Sequence, residues 1–260
     1  MERNIEIHHQ EIKEQFKKQA EGYSSLSAHK QHLDQLVRLA CPLATDKVLD
    51  VACGSGIVAT AFAECAAHVT GVDLTPEMLE QAYRLKKNKG LTNIEFVIGD
   101  VNLLPFEGGV FDIVVTRFSF HHMISTNQVL SEMIRVCKPG GTILVADVAI
   151  PEDKRDQYDQ MELLRDPSHV SALTPNEFRN LFATQGLSEI FEDHYLMEID
   201  LEEQLNASSS EAEEQLRLMI TKDIGIDSLG IKATQQKDSV KIYYPIHIFT
   251  AKNLAAFDLK

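Results

Sequence analysis

Val48-Leu49-Asp50-Val51-Ala52-Cys53-Gly54-Ser55-Gly56-Ile57-Val58-Ala59 carries a short strand-like run through small residues into a helical segment. Such a turn lets a ligand press against the backbone. Gly54-x-Gly56-x-x-Ala59 satisfies the permissive dinucleotide fingerprint, with Asp73, near the end of the next strand, in reach of a ribose. Asp50 pulls the other way. A carboxylate at the carboxyl end of the first strand repels a pyrophosphate but suits a ligand carrying an ammonium group. Asp50 therefore decides between the two readings, for a cationic cofactor without phosphate and against a nicotinamide dinucleotide.

Outward from this loop, short β-branched runs alternate with helix-period segments, the pattern of βα units stacked around a largely parallel sheet. The expected strands are Lys47 to Val51, His68 to Val72, Ile94 to Ile98, Phe111 to Thr116 and Thr142 to Asp147. Thr75-Pro76-Glu77 marks a helix start, and a helix around Ser125 to Cys137 is expected to stop at Lys138-Pro139-Gly140-Gly141. Thr174-Pro175-Asn176-Glu177 reads as a capping box, with Gly186 ending that helix. A sixth strand is expected over Leu187 to Phe191 and a seventh over Tyr243 to Thr250, with Pro245 placing part of the seventh at an edge or outside the ladder. The organisation is then a helical cap over 1–45, a core over 46–194, an insertion over 195–241 that serves as lid, dimer contact or mobile loop, and a last strand and tail over 242–260. The cap carries Ile12, Phe16, Gln19 and Tyr23 on one side, and the insertion contains a helix-like run from Glu211 to Thr221.

With 25 Lys and Arg against 39 Asp and Glu among 260 residues, the formal charge of −14 disfavours a nucleic-acid partner. No apolar run approaches the ~18 to 20 residues that span a bilayer, and the start of the chain is too polar for a signal peptide. Cys41, Cys53, Cys65 and Cys137 form no CxxC pair, which argues against a zinc knuckle or a disulfide framework and for a reducing cytoplasm. The histidine spacing supports no metal site.

Asp50-Val51-Ala52-Cys53-Gly54-Ser55-Gly56, Gly71-Val72-Asp73, Gly99-Asp100-Val101, Leu104-Pro105-Phe106 with Phe111-Asp112-Ile113-Val114, and Lys138-Pro139-Gly140-Gly141 follow one another in order. Together they resemble the class I S-adenosylmethionine-dependent methyltransferases, in the branch that includes the ubiquinone and menaquinone biosynthesis enzymes. The resemblance implies a doubly wound, Rossmann-like sheet of seven strands, mostly parallel with the last antiparallel, capped by the N-terminal helices and the late insertion. It also implies S-adenosyl-L-methionine as cofactor, a small-molecule acceptor methylated at O, N or C, and S-adenosylhomocysteine as product. Under it, Asp50, Ala52, Gly54 and Gly56 run beneath the methionyl part, and Ala52 stands where many relatives have glycine. Asp73 takes the ribose hydroxyls, Leu74 and Met78 the adenine, and Asp100 with Val101 the adenine amino edge. Tyr23 resembles the segment that closes over the cofactor, and Arg117 lies in the stretch that brings cofactor and acceptor together.

Transfer from a sulfonium needs an in-line acceptor and, for a protic acceptor, a base. Thr116-Arg117-Phe118-Ser119-Phe120-His121-His122 is the place for it, with His122 or His121 as the candidate. Phe16, Tyr158, His169 and His194 are the expected acceptor wall. Neither the longer N-terminal signature of the quinone-ring enzymes nor a counterpart of 195–241 is evident, which points away from a quinone acceptor. The rival readings are an NAD(P)-dependent oxidoreductase and a protein that uses the same pocket without methyl transfer.

Overall fold

A computed structural model describes residues 4–208 and 210–254; positions 1–3, 209 and 255–260, which include the outer ends of the expected cap and tail, lie outside the described residues. The chain opens with α1 (Ile5–Ser25) and α2 (Leu33–Ala40), then runs β1 (Lys47–Val51), α3 (Ile57–Ala63), β2 (His68–Asp73), α4 (Pro76–Asn88), β3 (Ile94–Ile98) and β4 (Phe111–Arg117). It continues through α5 (Thr126–Val136), β5 (Cys137–Val148), α6 (Glu152–Arg165), α7 (Pro175–Thr184) and β6 (Ser188–Asp200). The last elements are α8 (Leu201–Ser208), α9 (Glu213–Lys222), β7 (Thr234–Gln236) and β8 (Ser239–Lys252).

The strands form one sheet in the order β3-β2-β1-β4-β5-β8-β6, with β8 antiparallel to both of its neighbours. This is the doubly wound α/β fold, mostly parallel with an antiparallel last strand, plus one short extra strand, β7, hairpinned on β8. Side-chain alternation along β1 divides the core. Val48 packs with α2, α3 and α4 on one face, whereas Leu49 and Val51 pack with α5 and α7 on the other. Local signals set the helix starts: Pro76 opens α4, Ser125 caps α5 by accepting from the Gln128 amide, and Thr174 and Glu177 make a reciprocal capping box on α7.

Four expectations are corrected. β5 begins at Cys137, so Lys138 to Gly141 lies inside the strand as a bulge, seen as a register shift against Phe111 and Ile113. β6 runs to Asp200 instead of ending near Phe191, taking six residues from the expected insertion, 195 to 200. Pro245 sits within β8, between β5 and β6, rather than at an edge; its carbonyl accepts from the Ala149 amide where the β5 pairing ends, so its missing N–H breaks no ladder bond there. Finally, of the lid, dimer-contact and loop alternatives for 195–241, the loop gives way to regular elements among the described residues: α8, α9 and β7, with α8 packed against α1 and α9.

Candidate functional site

At the carboxyl ends of β1, β2 and β3 lies a cavity of about 110 Å³, roofed by Ile5, His8, His9, Ile12 and Phe16 of α1. Asp50, Asp73 and Asp100 all line it. Asp50 is 1% exposed and accepts one backbone bond, from Ala59 N at 2.9 Å. Burial pushes its carboxyl up to about 8, against the pull of that hydrogen bond. Asp73 accepts from Gly54 N at 2.8 Å and Thr75 N at 2.9 Å, which fixes the loop to the end of β2. Burial raises its carboxyl as well. Asp100 holds Asn102 through the backbone amide and the side chain, at 2.8 and 2.9 Å.

Ala52, Gly54, Leu74, Met78, Val101, Tyr23, Arg117 and His122 are part of the same lining. Ala52 is held at a φ of 53°, a left-handed conformation that costs an alanine roughly 1–2 kcal/mol. The Ser55 hydroxyl, on a side chain 3% exposed, has no hydrogen-bond partner among the described residues. Gly56 is the exception among the loop residues. It does not line the cavity; it precedes α3 at a φ of 75°, and a Cβ there would stand 2.9 Å from that of Ala82, so its role is to let α3 approach α4. Arg117 is engaged elsewhere too: its guanidinium donates to the carbonyls of His29 (2.6 Å) and Gln31 (2.9 Å) and to the Tyr195 hydroxyl, tying β4 to the segment between α1 and α2.

A second chamber of about 70 Å³ lies behind the first. The two share Phe16, Tyr23, His29, Phe118 and His122 as a common wall. His121 reaches only the inner chamber and is joined through Nδ1 to Asp147 Oδ1 at 2.6 Å. Asp147 in turn accepts from the amides of Ser119 (2.9 Å) and Phe120 (2.6 Å), so one carboxylate both shapes the loop after β4 and orients the ring. Burial opposes a charge on His121, but Asp147 outweighs it and raises the ring above the usual histidine value. His122 behaves oppositely. Burial, then the charge of His121, pushes it down to about 3, and its Nδ1 lies 3.1 Å from both the Ser168 carbonyl and hydroxyl oxygens.

Of the four expected acceptor-wall residues, Phe16 and Tyr158 line the inner chamber and His169 and His194 do not. His169 is fully buried one layer back, bonded to Asp159 at 2.7 Å, with its ring 5.7 Å from that of His121. His194 is exposed on β6, because Tyr195, Met197 and Ile199 take the inward parity. The sequence reading missed Glu162, Arg165 and Asp166. They line the chamber, with Arg165 paired to Glu162 at 2.7 Å. The i, i+3, i+4, i+7 spacing of Tyr158, Met161, Glu162 and Arg165 was the available signal, since it gathers them on one helix face.

The family described as "Methyltransferase domain" matches residues 43–221. The uncharacterized methyltransferase YcgJ of Bacillus subtilis is 34% identical over 177 residues, 66% of this chain and 70% of that protein. Its crystal structure superposes with a TM-score of 0.78 at 25% identity, covering 88% of this chain and 99% of the other. The demethylmenaquinone methyltransferase of Clavibacter sepedonicus is 34% identical over 150 residues, 55% of this chain and 60% of that protein. A Haemonchus contortus phosphoethanolamine N-methyltransferase, solved with S-adenosyl-L-methionine, shares the fold at a TM-score of 0.59 and 20% identity, covering 85% of this chain and 52% of the other.

Proposed function

The chain belongs to the methyltransferase domain family and is an enzyme of its class I type, and from that premise we propose that it transfers a methyl group from S-adenosyl-L-methionine to a small molecule seated in the inner chamber. The observation that carries this reading is the meeting of three strand-end carboxylates in one cavity that shares a wall with a second. The residues of the outer cavity fit the cofactor. Asp50 has a carboxylate without a cation and Ser55 a hydroxyl without a partner, groups that the ammonium and carboxylate of a methionyl end would satisfy. Leu74, Met78 and Val101 offer an apolar slot beside Asp100, and Asp73 keeps lone pairs for hydroxyls. A pyrophosphate would meet three carboxylates, which disfavours a dinucleotide. When bound, the cofactor would supply an activated methyl group.

On the protein's side, His121 is the better base of the two histidines. Asp147 fixes its Nδ1 and strengthens its basicity, leaving Nε2 for a proton from the acceptor, whereas His122 is too weak a base to compete. His122 and Phe16, in edge contact at 5.2 Å, belong to the wall across which the methyl group would pass.

Thermal unfolding with S-adenosylmethionine, S-adenosylhomocysteine, NAD and NADP tests the reading. The two sulfur compounds, at about a hundred times their dissociation constants, are expected to add ~2.7 kcal/mol and the dinucleotides nothing. A shift with dinucleotides alone would overturn it, and binding without methyl transfer to any acceptor would favour a non-methylating use of the same pocket.

A further inference from the structure

We infer that the inner chamber is built for a compact aliphatic amine, which would be the methyl acceptor; the inference rests on the methyltransferase reading above. The chamber is lined by three carboxylates, Asp147, Glu162 and Asp166, each 1% exposed. Two of them already hold a basic side chain: Glu162 is paired with the Arg165 guanidinium, and Asp147 orients the His121 ring that serves as base. Asp166 does not. Among the described residues its hydrogen-bond donors are neutral: Ser168 N at 2.9 Å, Ser168 Oγ at 2.5 Å and Gln19 Nε2 at 3.3 Å. Burial alone would raise the Asp166 carboxyl, but the His122 ring, the Arg165 charge and the Ser168 bonds outweigh it, so the group stays ionised. An entering ammonium would therefore meet an ionised carboxylate with no bonded cation to displace.

Two further observations point to a polar occupant. Tyr158, 2% exposed, and Gln204, 8% exposed, both line the chamber, and among the described residues neither the Tyr158 hydroxyl nor the Gln204 carboxamide makes a hydrogen bond within the protein. The wall also carries the aromatic rings of Phe16, Tyr23, Phe118 and Tyr244, side chains of a kind that attracts an ammonium group. At about 70 Å³ the space is less than half of a ~150 Å³ cavity that takes benzene, which limits the occupant to a few heavy atoms while α1 stays in place. A carboxylate in this space would face Asp166 with like charge, and an alcohol or phenol would leave that charge unmatched.

The step balances with the groups present. The bound ammonium, paired with Asp166, gives one proton to the neutral His121 at Nε2. The freed nitrogen lone pair forms the N–C bond as the C–S bond breaks, and sulfur keeps that electron pair as a neutral thioether. The nitrogen is again cationic and again paired with Asp166, while His121 returns its proton to solvent.

The test is isothermal titration of the full chain, first with S-adenosylhomocysteine and then, with that site saturated, with ethylamine, propylamine, ethanolamine, propanol, propanoate and phenol. At least one amine is expected to bind, and the neutral and anionic probes to bind tenfold or more weakly. D166N should weaken the amine tenfold or more and Y158F severalfold, with S-adenosylhomocysteine affinity unchanged in both. Should D166N fail to fold, Y158F and the probe ranking still decide. Binding of propanoate, propanol or phenol in preference to the amines, binding of no amine, or full amine affinity in the variants would overturn the amine assignment while leaving the methyltransferase reading intact. Failure of S-adenosylhomocysteine to bind at all would overturn that reading, and the inference with it.

Discussion

Asp50 sits at the end of a central strand, almost wholly removed from water, with one backbone amide as its hydrogen-bond donor among the described residues. Its carboxyl titrates near 8 rather than 3.8 because burial penalises the anion more than the Ala59 amide repays it. The folded chain therefore holds a proton that the unfolded chain releases above about pH 4, and Asp50 removes stability as pH rises from there to about 8, with no further loss beyond. An entering ammonium reverses the balance and expels that proton. At pH 6.5, binding of S-adenosylmethionine is expected to release close to one proton; calorimetry in buffers of different ionisation enthalpy reads this, and a heat independent of buffer would contradict it. D50N should raise the unfolding midpoint of the free protein by several degrees at pH 9 and weaken the cofactor by about tenfold or more. Asp50, Asp73 and Asp100 were legible in the sequence because strand ends of an α/β sheet converge by topology. Gly56 and His194 were misread because neighbouring residues on a turn or a strand point to opposite sides, and a sequence does not say which residue takes the inward parity.

Among the elements, β5 shows how a break in pattern misleads. Lys138-Pro139-Gly140-Gly141 reads as punctuation between a helix and a strand, yet the strand runs through it as a bulge. Gly140 supplies the positive φ of 77°, and Gly141 the close approach: a Cβ there would lie 2.6 Å from Cys137 Sγ and 2.8 Å from the Asp112 carbonyl oxygen. G141A is expected to cost ~1–3 kcal/mol in urea unfolding while cofactor affinity is retained, since the bulge is at the opposite end of the sheet from the cavities. An unchanged midpoint would mean that the bulge relaxes freely. β6 was underestimated for a different reason. Glu192, Asp193, Glu198 and Asp200 break its apolar character, but these residues lie along an edge strand and Tyr195, Met197 and Ile199 still alternate inward. In α6 the same charge density disguised a buried face, because its charges are satisfied by one another rather than by water.

At the scale of the whole molecule, α1 spans both cavities. His8 reaches the His122 carbonyl at 2.7 Å, Gln15 the Ser208 carbonyl at 3.4 Å and Gln19 the Asp166 carboxylate at 3.3 Å, so the helix is fastened to the floor of each site it covers. Hydrogen exchange is expected to slow across α1 when S-adenosylhomocysteine binds and to stay unchanged in α7, which faces the other side of the sheet. Equal protection in both helices would argue for global stabilisation instead of closure. The alternation of strands and helices made the sheet readable from the sequence, whereas this covering was not, because it depends on contacts between residues more than a hundred positions apart. Apart from their common wall, the two cavities are built from different parts of the chain. The outer floor comes from the ends of β1, β2 and β3, and the inner chamber from the loop after β4 together with α1, the end of β5, α6, α8, β6 and β8. Descent can act on these parts separately: under the proposed function, substitutions in α6, α8 or β8 would change what is modified and leave the means of modifying it intact. Two cousins can then inherit the same floor and serve unrelated pathways, and a shared family name records the ancestry of the donor site and not the identity of the acceptor.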